Sequence, residues 1–317
     1  METSNNATSP DNNYGWGLVN AGAALGWGAN FSADLTVGEA PATVQFYDSS
    51  TVPPTAWLWR FGDGDSAVVQ NPTHTYNQAG AYDVSLTIQT ALGPITNIKE
   101  NYIILLADTA TFVSDSGYAG SKVTLSVNLV NTLSLERIVV PFKFLDQPGL
   151  TVDSAARGAR TGAFEYFTPV LYDPTNNHYG WEMTADIGGG TPNLPPGSGE
   201  IMKIFFTVDS AAVEGTFNTI DSARGSKTLE VTSPLLSYEP RVASGSLLVL
   251  VSVRGDVNGN GQRDIADLVD LVQYMFFSGK PPVTLKAGDA DASGNITISD
   301  LLYIVDYFFN GGPPPAP

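Results

Sequence analysis

The sequence predicts a mainly β chain of several domains that closes on a small all-α unit. Three observations lead there. The 317 residues include 32 Gly and 21 Pro, a composition that favours turns and short strands. Alternating apolar and polar runs, such as 43–46 and 82–88, recur as far as residue 251. Residues 255–313 then hold two copies of one loop-and-helix unit, the second starting 33 residues after the first.

The first copy reads G-D-V-N-G-N-G-Q-R-D-I-A-D-L-V-D-L-V-Q-Y-M-F-F-S-G, and the second G-D-A-D-A-S-G-N-I-T-I-S-D-L-L-Y-I-V-D-Y-F-F-N-G-G. Oxygen-bearing side chains stand at loop positions 1, 3, 5 and 12: Asp256, Asn258, Asn260 and Asp267, then Asp289, Asp291, Ser293 and Asp300. This spacing suits calcium, which takes about 6–8 oxygens at about 2.3–2.6 Å from a twelve-residue loop. At position 7, Gln262 and Asn295 offer backbone carbonyls, and at position 9 Asp264 and Thr297 act through a water. Gly261 and Gly294 fall at position 6, where the loop turns sharply and a Cβ is expected to be in the way. Two calcium ions are therefore expected, one per loop.

Each loop runs into an amphipathic helix. Leu268, Leu271, Val272, Met275 and Phe276 form one expected buried face, and Leu301, Ile304, Val305, Phe308 and Phe309 the other. Neither loop is expected to have an entering helix, because 247–253 is strand-like and 281–287 is short. This pair of loops with exit helices, with Asp at position 12, resembles a dockerin domain of the cellulosome type. The resemblance implies docking to a protein partner of cohesin type, in trans or in the same chain. Dockerins tend to carry small hydroxyl residues at positions 10 and 11, whereas Ile265-Ala266 and Ile298-Ser299 stand there. Val269, Tyr274, Phe277, Leu302, Tyr303 and Tyr307 remain outside the core stripes, as a docking face or as cover for a neighbouring domain.

The net charge of −17 argues against nucleic acid as a partner, because such a surface repels phosphate. The chain has no cysteine, which excludes disulfides and thiolate chemistry, and two histidines, His74 and His178, exclude a His-rich zinc site. No run of 18 apolar residues exists, so no membrane insertion is expected. The first residues lack the pattern of a signal peptide. The dockerin resemblance nevertheless implies export to the cell exterior or surface, with the signal upstream or the chain part of a longer protein.

Residues 1–30 include D-N-N-Y-G-W-G-L-V-N-A-G-A-A-L, where Leu18, Ala21, Gly22 and Leu25 share a helical face. The stretch resembles the last helix of a subtilisin-like protease domain; a plain helix or linker is the alternative. That family's catalytic residues all lie upstream of this helix, so no catalytic residue is placed in the chain.

Residues 31–107 contain W-L-W-R-F-G-D-G-D, then N-P-T-H-T-Y, then G-A-Y-D-V-S-L. These residues resemble a PKD domain, which implies an immunoglobulin-like sandwich of about seven strands. Trp57 and Trp59 share strand parity and are expected in the core rather than on a sugar-binding face. His74 is expected to be a structural hydrogen-bonding residue.

Residues 108–252 show strand patterns at 122–129, 138–144, 178–185, 200–208 and 244–251. G-S-K-V-T-L-S-V-N-L-V-N and G-S-G-E-I-M-K-I-F-F-T-V resemble the cohesin and carbohydrate-binding superfamily of β-sandwiches, with Ile201 in place of the usual Leu. Tyr166, Tyr172, Tyr179 and Trp181 are candidates for sugar stacking, with a structural role favoured. Glu165, Glu182 and Asp186 lack a glycosidase motif. Residues 314–317 are a Pro-rich tail. The whole reads as a non-catalytic, calcium-dependent attachment module of an exported multidomain protein. The alternatives are the accessory tail of a secreted protease, a carbohydrate-binding protein, and self-assembly of the cohesin-like and dockerin-like parts.

Overall fold

The computed structural model describes residues 28–144, 149–173, 177–185, 192–222 and 228–316. The subtilisin-like stretch and Asp186 lie outside the described residues, as does the side chain of Tyr172. The chain divides into two compact units, residues up to 107 and residues from 108 onward.

Unit one is built from two sheets. Phe31–Ala33, Ala42–Asp48 and Thr73–Tyr76 make a three-stranded sheet, with Ala42–Asp48 in the centre. Val37–Glu39, Gly93–Leu106, Gly80–Thr90, Ala56–Arg60 and Ser66–Ala67 make the other, in that order. Alternation places Val44, Phe46, Trp59, Val84, Leu86 and Ile88 inside, where they are fully buried. Phe31 and Trp59 meet edge to face at 5.3 Å, an arrangement that suits aromatic quadrupoles. Trp57 shares the parity of Trp59 but is only half-buried at the margin of that core, where its indole N–H donates to Asp48 Oδ2 at 2.8 Å. Both tryptophans are thus packing residues.

Unit two begins with a larger sandwich. Leu150–Arg157, Gly197–Val208, Lys122–Asn131, Thr109–Phe112 and Arg241–Ala243 form a five-stranded sheet. The other sheet has eight strands; its main path runs Asp115–Tyr118, Gly245–Leu250, Phe217–Ser222, Arg137–Phe144, His178–Thr184 and Tyr166–Asp173. The inward residues of both sheets, among them Leu125, Val127, Phe142, Met202, Phe206 and Leu247, make one core.

Tyr179 and Trp181 belong to that core. Their rings stack on Phe142 at 5.6 and 5.8 Å, leaving 4% and 8% of each residue exposed. Only Tyr166 of the described sugar-stacking candidates is exposed. Glu182 is held by Arg137 through two hydrogen bonds of 2.8 and 2.9 Å, which makes it an ion-pair residue.

The same unit closes on helices α1 (Ile265–Phe277), α2 (Leu285–Gly288) and α3 (Ile298–Val305), the last continuing into a π turn at Asp306–Asn310. The single turn α2 enters the second loop, where no entering helix was expected; Thr284 caps it by accepting from Ala287 N. Leu271 and Ile304 are buried together with Val257 and Ala290, and Leu268, Met275, Leu301, Tyr303 and Phe308 pack around them. Phe276 and Phe309 leave the expected stripes, being 55% and 61% exposed. Eight residues along a helix turn by about 80° from the starting side chain, which puts these two rings at the margin of the face.

Replacing Trp59 by Ala is expected to cost about 3–5 kcal/mol of the stability of unit one, because the cavity lies in a closed core. Trp57→Ala is expected to cost less than half as much. Urea denaturation read by hydrogen exchange within residues 28–104 distinguishes the two.

Candidate metal centre

Both loops wrap their backbone round the position-1 aspartate. Asp256 Oδ1 accepts from the N–H groups of Gly259 and Asn260 at 3.0 and 3.1 Å, and Oδ2 accepts from Gly261 N at 3.0 Å. In the second loop Asp289 Oδ1 accepts from Ser293 N at 2.9 Å and Oδ2 from Gly294 N at 3.1 Å. Short-range side-chain turns brace the intervening residues: Asn258 accepts from Asn260 N, Asn260 from Gln262 N, and Asp291 from Ser293 N. Gly261 and Gly294 sit at φ +84° and +90°. A Cβ on either would meet nothing within 4 Å, so the expected crowding is absent and the left-handed backbone alone selects glycine.

The position-12 aspartates close each loop onto its helix. Asp267 Oδ1 accepts from Asn258 N at 3.1 Å and Oδ2 from Asp264 N at 2.8 Å. Asp300 repeats this with Asp291 N at 3.1 Å and Thr297 N at 2.7 Å. Asp264 and Thr297 are N-caps of α1 and α3, and each helix begins with a capping box in which the N3 residue is the position-12 Asp. The side chains expected to work through water at position 9 thus spend an oxygen on helix N–H groups, Ala266 N for Asp264 and Ser299 N for Thr297. Asn295 O, the position-7 carbonyl of the second loop, accepts from Ser293 Oγ at 3.2 Å.

Burial sharpens the electrostatics. Asp256, Asp267, Asp289 and Asp300 are 3%, 0%, 2% and 0% exposed. Carboxylate oxygens of Asp289, Asp291 and Asp300 lie within 4.8 Å of one another, a span that a single hard cation can bridge. In loop one Asn258 and Asn260 supply neutral oxygens beside Asp256 and Asp267, a donor set equally suited to calcium. Burial pushes the Asp267 carboxyl above the ordinary aspartate range, and the charges of Asp256 and Asp264 add to the rise against N–H donation from Asp264 and Asn258. At Asp289 burial acts the same way. There the Arg254 guanidinium and the N–H groups of Gly294 and Ser293 outweigh it and hold the group below the usual range. The residues therefore fit a dication in both loops, by donor chemistry and by the close grouping of buried carboxylates.

Three features escape sequence reasoning. Arg254, two residues ahead of loop one, donates from Nη1 to Asp289 Oδ2 of loop two at 2.5 Å. Tyr118, on the edge of the sandwich, donates its hydroxyl to Gly259 O at 3.2 Å and so grips loop one. Ser252 Oγ and Thr284 Oγ1 meet at 2.5 Å, and Lys286 pairs with Glu214 at 3.3 Å, fastening the helical segment to the same sandwich. None has a local sequence signal, since each partner is tens of residues away. In unit one, Asp63, Asp65 and His74 also place ligand atoms within 4.8 Å. His74 Nε2 is already committed to Asp63 Oδ2 at 2.6 Å, and the ring stacks on Phe61 at 4.1 Å, the structural role expected of it.

Comparison with known proteins assigns the first unit. Residues 28–104 match the family model of the PKD domain. Thirty-eight residues are 45% identical to Collagenase ColA of Bacillus cereus, covering 12% of this chain and 4% of that protein. Solved structures similar to the chain include the third cohesin ScaC of Acetivibrio cellulolyticus in complex with the ScaB dockerin, at 20% identity and TM-score 0.40, covering 45% of this chain and 99% of that one. A Coh-OlpA–Doc918 complex from Clostridium thermocellum aligns at 12% identity and TM-score 0.40, with the same two coverages. Among the described residues no helix is long and apolar enough to cross a membrane.

The electrostatics make an observable prediction. In calcium-free buffer, carbonyl-detected NMR titration is expected to place Asp267 above the ordinary aspartate value of 3.8 and Asp289 below it. Because its folded pKa is raised, Asp267 favours the folded chain at low pH, and that contribution is lost as pH rises through the folded pKa. The depressed Asp289 acts oppositely, its contribution being lost as pH falls through the folded pKa. Equal values at the two positions would contradict the burial and pairing described.

Proposed function

We propose that the chain is a non-catalytic, calcium-binding attachment module of an exported multidomain protein, with a dockerin-like segment at residues 255–313 that mediates protein–protein docking. The observation that carries this reading is the repeated burial of two carboxylates per loop in a segment with very few buried apolar residues. Ionised carboxylates out of water are costly unless paired, and the N–H donors present relieve only part of that cost. A calcium ion, when bound, supplies positive charge that loop one lacks and that loop two has only from Arg254 at Asp289. Asp256, Asn258, Asn260 and Asp267 hold one ion, and Asp289, Asp291, Ser293 and Asp300 the other. Gln262 and Asn295 contribute carbonyls, and Asp264 and Thr297 stand at the water-linked position. A ligand present at 100 times its dissociation constant stabilises the folded form by about 2.7 kcal/mol per site.

The helices leave Ile265, Val269, Phe277, Leu302 and Phe309 substantially exposed. Side chains of that size on neighbouring helices suit a protein partner, of cohesin type on the dockerin resemblance. The match of 38 residues to a collagenase supports a second reading, in which this chain is the accessory region of a secreted hydrolase. The PKD match and the collagenase relative also support an extracellular setting.

Calorimetric titration of the full chain with calcium is expected to show two bound ions and a rise in melting temperature. The double variant Asp256→Ala, Asp289→Ala is expected to lose both the heat and the rise. A wild-type chain that melts identically in chelator and in millimolar calcium would falsify the calcium reading.

A further inference from the structure

The two loops share a sequence pattern but not an electrostatic setting. Loop two has three carboxylates at positions 1, 3 and 12, where loop one has two and an asparagine. Arg254, two residues ahead of loop one, reaches across to loop two. Its Nη1 lies 2.5 Å from Asp289 Oδ2 and 2.6 Å from Asp289 O. The guanidinium side chain is 20% exposed and the Asp289 side chain 3%, so the pair is largely withdrawn from water. Arg254 is itself anchored, because its carbonyl accepts from Nε of Arg263, a loop-one residue, at 2.8 Å. Among the described residues no lysine or arginine pairs with Asp256, Asp267 or Asp300.

From this pairing we infer that Arg254 is a built-in counter-cation of loop two, which holds that loop folded before metal arrives and sets its calcium affinity below what three carboxylates would otherwise give. The inference rests on the calcium reading of the loops. A fixed positive charge beside a buried aspartate stabilises the empty site and repels an incoming dication, and both effects are strong where water is excluded. The geometry divides the work between the two oxygens of Asp289. Oδ2 takes Arg254 and Gly294 N–H, while Oδ1 takes Ser293 N–H and a longer contact of 3.4 Å from Ser293 Oγ. Arg254 thus places the cation on Oδ2, whereas Oδ1 meets only neutral donors from Ser293. Asp256 receives only backbone N–H groups, so loop one carries no such substitute. Arg254 is a positioning and affinity-setting residue rather than a ligand.

The test compares the wild-type full chain with Arg254→Gln and Arg254→Lys, by calcium calorimetry and by thermal melting in chelator and in saturating calcium. Repeating the titrations in an Asp256→Ala background lets loop two report alone. Arg254→Gln is expected to tighten calcium binding at loop two about tenfold while leaving loop one within about twofold. It is also expected to lower the melting temperature in chelator, with the deficit closing in saturating calcium. Arg254→Lys, which keeps the charge, is expected to stay near wild type in both measurements. An affinity at loop two that is unchanged or weaker in Arg254→Gln overturns the proposal. So does a melting deficit of the same size with and without calcium, which assigns Arg254 to a purely structural bridge. Absence of binding heat in the wild-type chain overturns the calcium reading and this proposal with it, and it is visible before any variant is made.

Discussion

The C-terminal segment depends on one constraint, the burial of like charges where few apolar side chains are available to offset it. Asp256, Asp267, Asp289 and Asp300 are withdrawn from water, while Val257, Leu271, Ala290 and Ile304 are the buried residues of the small core beside them. Packing on that scale cannot by itself support several desolvated carboxylates. The loops respond by turning backbone N–H groups onto the carboxylates, and position 12 doubles as the third residue of a helix. Loop closure and helix initiation are therefore one structural event, and whatever charge enters the loop acts directly on the helix start.

The β units obey a different rule. Their stability comes from inward-facing aliphatic and aromatic residues on paired sheets, and their polar contacts serve mainly to orient edges and turns. Trp59 and Phe142 are each surrounded by other rings, which explains why the aromatic residues suggestive of sugar stacking are mostly interior. The sandwich of unit two also constrains the helical segment. Tyr118 reaches Gly259, where a Cβ would approach the tyrosine hydroxyl to 2.6 Å. Loop one is thus held from outside as well as from within, and burial together with the nearby Asp256 charge pushes the Tyr118 phenol up.

Much of the fold was readable from local pattern, and the failures have physical causes. The regular alternation in Lys122–Asn131 and Gly197–Val208 marks two adjacent strands of one sheet. Leu150–Arg157 and Tyr166–Asp173 were missed because neither run alternates: polar Asp153 and Ser154 stand side by side in one, and Pro169 interrupts the other. Phe276 and Phe309 were placed inside because a period count ignores where a short helix stops covering its neighbour. The glycines of position 6 were read correctly as necessary and incorrectly as crowded.

What the sequence determined by itself was the order of oxygen-bearing residues in each loop, the start of each following helix and the aromatic core of the PKD-matching unit. All of these lie within a dozen residues or follow a strand or helix period, so chain connectivity brings them together. Tertiary structure alone decided which carboxylates lose contact with water, and that Arg254 serves loop two although it precedes loop one. It also decided that a tyrosine 141 positions away grips Gly259. Those outcomes depend on which surfaces pack, and packing joins residues whose separation along the chain carries no periodic signal.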